Sequence, residues 1–216
     1  MRRKKELIAT LSVVLFIVII GGIFKTLGFF SDIDTNESVF TTGKIDTEVT
    51  EEFDSSDKDH KDNLKKKVKI KNNSETEALV RVSISTRWID DNDNVLGLDE
   101  NVVQLNMSKD WEKYWVKGND GYYYYKKILE GKKDDKNAET EMLLESVTFN
   151  IPEEKKPLYE GKNFIIDVKS EGVQPTYLNS RKEDYAYRQV WRELHDKNID
   201  SLLSSIIDET EKGKGE

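Results

Sequence analysis

The chain has 216 residues, of which 35% are charged and 36% are hydrophobic, and its formal net charge at pH 7 is −8. An acidic surface repels the phosphates of nucleic acids and anionic lipids, so nucleic acid is not expected as a partner. The sequence contains no cysteine, which excludes a disulfide framework and a cysteine nucleophile. A domain of this length must therefore be stabilised by its hydrophobic core alone.

A basic stretch, MRRKKE, precedes an uncharged apolar run over Leu7–Phe24. This order is typical of a secretory signal peptide. Small residues, Thr26 and Gly28, occupy the minus-three and minus-one positions for cleavage before Phe29. We therefore expect residues 1–28 to be a signal peptide that is cut between Gly28 and Phe29, leaving a chain with a net charge of −12.

The same apolar run leaves a second interpretation open. At about 1.5 Å per residue, a helix over it would extend roughly 27 Å, which is close to the thickness of the hydrocarbon layer. A retained membrane anchor is therefore the alternative to cleavage. Contact with the membrane is expected only through this N-terminal segment, before any cleavage.

Apolar residues recur mostly with period two from Phe30 to about Ser170, in short runs separated by Asn, Asp, Gly and Lys. This pattern predicts a mainly β domain, a sandwich or barrel, over residues 29–174. Residues 65–88 are predicted to form a hairpin with one buried face and with NNSETE as its turn. The longest loop is expected at about Asp90–Asp110. Further strands are predicted at Val39–Val49, Tyr114–Val116, Tyr122–Leu129, Glu145–Ile151 and Asn163–Ser170.

Four consecutive tyrosines, Tyr122–Tyr125, follow the sequence Asn119-Asp120-Gly121. Asn-Asp-Gly favours a tight turn, because glycine adopts positive φ angles without a Cβ penalty. The run is therefore predicted to be the outgoing strand of a hairpin, with alternate rings on opposite faces. One face is expected in the core and the other is expected to be an amphipathic solvent face, with a ligand platform as the alternative. The rings are expected to pair across strands with Trp111, Tyr114 or Trp115.

The pattern changes after Gln174-Pro175. The sequence Ser180-Arg181-Lys182-Glu183 has the form of a helix capping box, and apolar residues then recur at steps of three and four. Residues 175–216 are predicted to be an amphipathic helical extension with a polar tail. Its apolar stripe either packs on the parent sheet or faces a partner. The stripe consists of Tyr187, Val190, Trp191, Leu194, Ile199, Leu202, Leu203, Ile206 and Ile207.

The residues that common catalytic and metal sites require are missing. The two histidines, His60 and His195, lack the H-E-x-x-H spacing of zinc peptidases, and no G-x-S-x-G elbow or phosphate-binding glycine loop occurs. The run Asp90–Asn94 resembles the start of a calcium loop, but Val95 replaces the sixth-position glycine and Asn101 the closing glutamate. We therefore expect a solvated loop at Asp90–Asn94, and no enzyme activity, cofactor or metal site.

Four stretches occur in an order that indicates a family. They are TLGFFSDIDTNESVFTTGKIDTEVTEEFD at Thr26–Asp54, then VKIKNNSETEALVRVSISTRW, then DGYYYYKKIL followed by ESVTF, and finally IIDVKSEGVQ with Trp191 beyond it. In this combination the chain resembles the TasA and camelysin (CalY) family of exported bacterial proteins. The resemblance covers most of the chain up to Gln174. None of its motifs is catalytic, so its specificity depends on their order.

The resemblance implies a jelly-roll β-sandwich, cleavage by a SipW-type signal peptidase, and a structural role at the cell surface or in a biofilm matrix. In the best-known members the protein is a fibre subunit, and the freed N-terminal segment is thought to be added as a strand to the next subunit. That segment would be Phe29–Ile45 here, and a strand in its own sheet is the alternative. Its candidate exchange residues are Phe29, Phe30, Val39, Phe40 and Ile45.

The leading hypothesis is therefore an exported, non-enzymatic structural protein that self-associates into fibres or associates with related matrix proteins. One alternative is a membrane-tethered accessory protein for fibre assembly, with Leu7–Phe24 retained and the C-terminal helix as the contact. Another is a metal-dependent endopeptidase of the camelysin type, which the histidine inventory does not support. The charged C-terminal extension is longer than the family leads us to expect.

Overall fold

A computed structural model of the chain describes residues 31–33, 47–53, 63–133, 138–178 and 184–213. Two antiparallel sheets form a β-sandwich, and helices follow its last strand. The strands are β1 Ser31–Ile33, β2 Thr47–Phe53, β3 Asn63–Asn72, β4 Leu79–Ile89, β5 Val95–Leu96, β6 Val103–Met107, β7 Trp115–Lys117, β8 Tyr123–Tyr125, β9 Ala138–Glu139, β10 Leu144–Phe149 and β11 Asn163–Val173. The α-helices are α1 Trp111–Tyr114, α2 Lys156–Tyr159, α3 Ala186–Val190 and α4 Lys197–Gly213, and short 3-10 turns lie at Glu100–Val102 and Glu153–Lys155.

The strand order joins distant parts of the chain. One sheet has the order β1-β11-β4-β8-β7, with β5 beside the end of β4. The other has the order β2-β3-β10-β6, with β9 beside β3. The first strand thus pairs with the last, and each sheet brings together strands that are far apart in the chain. This nested arrangement is that of a jelly-roll sandwich, and it confirms the predicted fold class.

The predicted hairpin over residues 65–88 is wrong, because β3 and β4 belong to different sheets. The chain crosses from one sheet to the other between Asn72 and Ala78. The buried Asn72 amide donates to the carbonyl oxygens of Thr76 and Glu130 at 2.8 and 3.0 Å, and its oxygen accepts the Ser74 N–H. These bonds satisfy backbone groups that the crossing would otherwise leave unpaired.

The segment Asp90–Asp110, expected to be a loop, contains β5, a 3-10 turn and β6. Strand β6 pairs with β10 and forms one edge of its sheet. The expected solvated loop does occur at Asp90–Asn94, where the Asp90 carboxylate accepts the N–H groups of Asn92 and Asn94, each at 2.9 Å. The Asp90 carboxylate thus closes an Asx-type turn within the acidic run.

The core lies between the sheets and is built from the inward-facing residues of alternating strands. Val68 and Ile70 of β3 and Val80 and Val82 of β4 are completely buried, as the period-two pattern predicts. Each such side chain contributes about 1.5–3 kcal/mol when it leaves water. At one end of the sandwich, the Trp88 ring contacts Phe149, Tyr159 and Phe164.

The C-terminal helices pack on the outer face of the sheet that contains β4, β8 and β11. Their apolar stripe forms one buried cluster with residues of these strands. The interpretation that the stripe packs on its parent sheet is therefore confirmed. The capping-box residues Ser180–Glu183 lie outside the described residues. The buried cluster consists of Leu79, Tyr124, Val173, Ala186, Tyr187, Trp191, Ile199, Leu203 and Ile207.

Candidate functional site

The tyrosine run forms the outgoing arm of the β7–β8 hairpin, which turns at Gly121 with φ 87°. Tyr125 lies directly opposite Trp115, with ring centroids 5.0 Å apart. Tyr123 contacts Trp111 edge-on at 5.7 Å. The predicted cross-strand aromatic pairing is confirmed, although the strand itself is shorter than expected, ending at Tyr125.

The opposite face of the run is not a solvent face, and that expectation is wrong. Tyr122 and Tyr124 lie under the C-terminal helices, and Tyr124 is fully buried against Trp191 at 5.7 Å. The Tyr124 hydroxyl donates to the Asp120 carboxylate. Burial, followed by this hydrogen bond, raises the pKa of Tyr124 above its usual range.

A buried arginine lies at the centre of the interface between the sheet and the helices. The Arg81 guanidinium donates from Nε and Nη2 to Glu171 Oε2, at 2.7 and 2.6 Å. Nη2 also donates to Glu193, which follows α3. The guanidinium carbon lies 3.9 Å from the centre of the Tyr122 ring and 4.9 Å from that of Trp191. Side chains from β11, from the β7–β8 hairpin and from the helical segment therefore all contact the Arg81 guanidinium.

The electrostatics of this cluster favour the charged forms. Burial alone would lower the pKa of Arg81, but hydrogen bonds with Tyr124 and Glu193 and the charge of Glu171 raise it above its usual value. Partial desolvation would raise the pKa of Glu193, but the hydrogen bond from Arg81, a backbone hydrogen bond and the charge of Arg81 together lower it. Since Glu171 on the sheet, Glu193 in the helical segment and the Tyr124 hydroxyl all accept hydrogen bonds from the one guanidinium, the cluster fixes the helical segment on the sheet.

A second polar network lies within the helical segment. Asp200 accepts from the Tyr187 hydroxyl at 2.8 Å and from Arg188 Nε and Nη2 at 2.8 and 2.7 Å. The Arg188 hydrogen bonds lower the pKa of Asp200. Asp208, two turns further along α4, accepts from Tyr177 and Tyr185. These bonds join the segment after β11 to both helices.

The edge of β11 is the clearest candidate for assembly. On one side β11 pairs with β4 over its whole length, Asn163–Val173. On the other side β1 pairs with Glu171–Val173. Within the part of the chain that the structure describes, Asn163–Ser170 have no strand on this second side. Such an edge presents main-chain donors and acceptors that an added strand can bind.

An apolar cavity of about 120 Å³ lies between the sheets under the N-terminal half of β11. Phe164 and Ile166 of β11 form one wall, and residues of β3 and β10 form the other. Side chains of an added strand that alternate inward would be able to enter it. The remaining lining residues are Leu64, Lys66, Val147 and Phe149.

The residues predicted to take part in processing and strand exchange, Gly28, Phe29, Phe30, Val39, Phe40 and Ile45, all lie outside the described residues, as does His60. His195 is exposed on the turn between α3 and α4. No group of three or more His, Cys, Asp or Glu that could hold a metal ion occurs among the described residues. Nor does any helix within those ranges combine the length and apolarity needed to cross a membrane.

The sequence interpretation missed the cluster around Arg81. The one feature of the sequence that could have indicated this cluster is the position of Arg81 between Val80 and Val82, on a strand whose outer face the C-terminal helices cover. Comparison of the chain with family models, curated proteins and solved structures finds no match.

Proposed function

We propose that this protein is an exported, non-enzymatic structural protein that self-associates at the cell surface or in an extracellular matrix. The observation that carries the proposal is the edge of β11, where, among the described residues, β1 covers three of eleven. In the proposed assembly, the N-terminal segment Phe29–Ile45 of one copy adds to this edge in the next copy. Head-to-tail addition that does not close on itself produces a filament.

The short pairing of β1 favours exchange between copies. Among the described residues, separating β1 from β11 breaks the ladder over Ser31–Ile33, so little of the main-chain bonding described for β11 is lost. A longer segment added in the same register would place Phe40 opposite Phe164, which lines the apolar cavity, and Val39 opposite Ile165 on the other face of the sheet. The gain in main-chain bonds and apolar burial then exceeds the loss.

The position of the C-terminal helices weakens the alternative of a tethered accessory protein. That hypothesis uses the helical stripe as the contact for a partner, whereas Ile199, Leu203 and Ile207 are buried on the protein's own sheet. Assembly through β11 leaves these contacts intact. The structural protein is therefore the better supported function.

The absence of cysteine from the chain makes the test direct. We would mix two single variants, Val39→Cys and Ile165→Cys, under mild oxidation after removal of residues 1–28. Exchange between copies predicts disulfide-linked dimers that contain one copy of each variant. It also predicts that the unaltered protein forms filaments visible by electron microscopy. Val95→Cys in place of Ile165→Cys is the control, because Val95 is exposed and β4 lies between it and β11.

The double variant Val39→Cys/Ile165→Cys distinguishes the competing arrangement. Disulfide formation only within single chains would show that the segment is a strand of its own sheet, and the assembly mechanism would be rejected. The N-terminal residue of protein from washed cells and medium tests export separately. A start at Phe29 supports release, whereas a start at Met1 with all protein in the membrane contradicts it.

A further inference from the structure

Six aromatic rings form a continuous series between the sheet and the C-terminal helices. Successive ring centroids are 5.2, 5.6, 6.2, 5.7 and 6.4 Å apart. The third, fourth and fifth rings are fully buried, and the first, second and last are half-buried. In order along the series, the residues are Tyr177, Tyr185, Tyr187, Trp191, Tyr124 and Tyr122.

Every tyrosine in the series donates its hydroxyl hydrogen to a carboxylate. Tyr177 and Tyr185 donate to the same oxygen of Asp208, at 2.6 and 3.0 Å. Tyr187 donates to Asp200 at 2.8 Å. At the other end, Tyr124 donates to Asp120 and Tyr122 donates to Glu171. A phenol releases its proton when it loses an electron, so a carboxylate at hydrogen-bond distance makes the oxidation easier.

Trp191, in the middle of the series, has the opposite environment. Its indole N–H is buried and has no hydrogen-bond partner among the described residues. An oxidised indole in this position therefore has no group to which it can release its proton. It is instead reduced again by a neighbouring tyrosine, Tyr187 or Tyr124, so the oxidised state is not trapped at the buried ring.

We propose that this series is a path for one-electron oxidation, which carries an electron vacancy from the Tyr122 end through Trp191 to the surface pair Tyr177 and Tyr185. A one-electron oxidant removes an electron from a ring at the first end. Each ring is then refilled by the next, and each tyrosine proton returns from its carboxylate when that tyrosine is reduced. In the final state one electron has left the protein, and the proton of Tyr185 or Tyr177 resides on Asp208.

The path would protect the folded domain from oxidants. Oxidation of buried Tyr124 or Trp191 to a polar product would disrupt the contact between the sheet and the helices, since both rings are fully buried there. A radical at Tyr177 or Tyr185 is instead close to solvent, where a small reductant can quench it. This inference does not depend on assembly through β11.

The experiment places an oxidant at one end of the path. Asn119→Cys introduces a unique thiol in the exposed turn before Tyr122, and it is labelled with a ruthenium polypyridyl complex. Illumination with a cobalt(III) ammine as the irreversible electron acceptor produces the bound oxidant. A nitroso spin trap marks the radicals, and peptide mass spectrometry locates the adducts. Dilution of the protein excludes transfer between molecules.

We expect adducts on Tyr177 and Tyr185, and their loss to the level of a dark sample when Trp191→Phe interrupts the series. Phenylalanine preserves a buried ring and removes no hydrogen bond, but it is far harder to oxidise. Trp88→Phe is the matched control, because Trp88 is also buried with an unpartnered indole N–H and lies in a separate cluster. This control should leave the adducts unchanged.

Near-ultraviolet circular dichroism shows whether Trp191→Phe preserves the fold. Tyr187→Phe interrupts the series at a second ring and serves as the test if Trp191→Phe does not. Adducts on Tyr177 and Tyr185 that persist in both variants would overturn the proposal. Adducts confined to Tyr122 and Tyr124 in the labelled parent protein would also overturn it.

Discussion

Arg81 and Glu171 stand directly opposite each other on β4 and β11, and two guanidinium nitrogens bind a single oxygen of the carboxylate at 2.6 and 2.7 Å. Both residues are on the outer face of their sheet, yet both are buried because the C-terminal helices cover them. A charged pair thus occupies a position where a sheet commonly meets water. Its ionic contact with Glu193 joins the sheet to the helical segment.

Replacing Arg81 by methionine should lower the free energy of unfolding by about 3–5 kcal/mol, because Glu171 would remain buried without a cation. The control is Arg87→Met, whose partner Asp167 is well exposed, and its loss should be about 0–1 kcal/mol. Urea unfolding measures both. The double variant Arg81→Met/Glu171→Leu should recover much of the lost free energy of unfolding. Equal losses for Arg81→Met and Arg87→Met would contradict a stabilising role for the buried pair Arg81 and Glu171.

Leucines on two helices give a second comparison. Leu203 of α4 is fully buried against the sheet, whereas Leu158 of α2 is 60% exposed. Leu203→Ala should cost about 2–5 kcal/mol, the range for a buried cavity. Leu158→Ala should stay within about 0.5 kcal/mol of the parent. Thermal unfolding tests whether the helices are part of the cooperative unit, since similar melting temperatures would show that they are not.

Gly131 lies where another part of the chain approaches closely. A Cβ at this position would be 2.2 Å from the carbonyl oxygen of Glu75, a backbone atom of the crossing between β3 and β4. Gly131→Ala should therefore destabilise the protein by about 1–3 kcal/mol, as overpacking does. Gly97→Ala meets no atom within 4 Å and should be neutral or stabilise by up to about 1 kcal/mol. Chemical denaturation measures the free energy of unfolding of both variants, and equal changes for Gly131→Ala and Gly97→Ala would contradict the close approach at Gly131.

Acid should weaken the contact between the sheet and the helices. The pKa of Asp200 is lowered by its hydrogen bonds from Arg188, and that of Glu193 is lowered, despite partial desolvation, by Arg81 and a backbone hydrogen bond. Their stabilisation is fully present above the ordinary values of 3.8 and 4.5, and is lost as the pH falls through the lowered values. The urea midpoint should fall over this interval. The variant Glu193→Gln/Asp200→Asn should show a flatter profile.

Alkali should destabilise the fold through three buried phenols. Burial first, and then hydrogen bonds to carboxylates, raise the pKa of Tyr124, Tyr125 and Tyr187 above the ordinary 10.0. Because the folded state favours the neutral phenol, stability is full below this value and is lost as the pH rises above it. Phenolate absorbance should show these residues ionising only as the protein unfolds. Ionisation of all nine tyrosines in the folded state would contradict this prediction.

The strands and their inward residues could be predicted because alternation is local information. Val68, Ile70, Val80 and Val82 alternate with polar residues, and a strand buried on one face accounts for that pattern. The pairing of the strands could not be predicted in the same way. Nothing in the alternation distinguishes a turn that joins neighbours from the crossing that Asn72 stabilises, so β3 and β4 were assigned to one sheet.

The site around Arg81 could not be found for a related reason. An arginine between two inward-facing valines is expected in solvent, and only the covering helices bury it. The amphipathic stripe over Tyr187–Ile207 indicates that these helices pack against an apolar surface. It does not indicate which face of which sheet provides that surface. That information depends on contacts between residues about ninety positions apart, such as Arg81 and Glu171.

The nested strand order also determines when the chain can fold. Strand β11 pairs with both β1 and β4, and β10 pairs with β3 and β6, so one sheet cannot be completed until residues near 173 are available and the other until residues near 149 are available. Pairing across such long sequence separations makes folding slow, because the entropy of loop closure is lost before the stabilising contacts form. A polypeptide that stays unstructured until synthesis is nearly finished suits threading through a narrow translocation channel. For the export proposed above, delayed folding would thus be an advantage built into the topology.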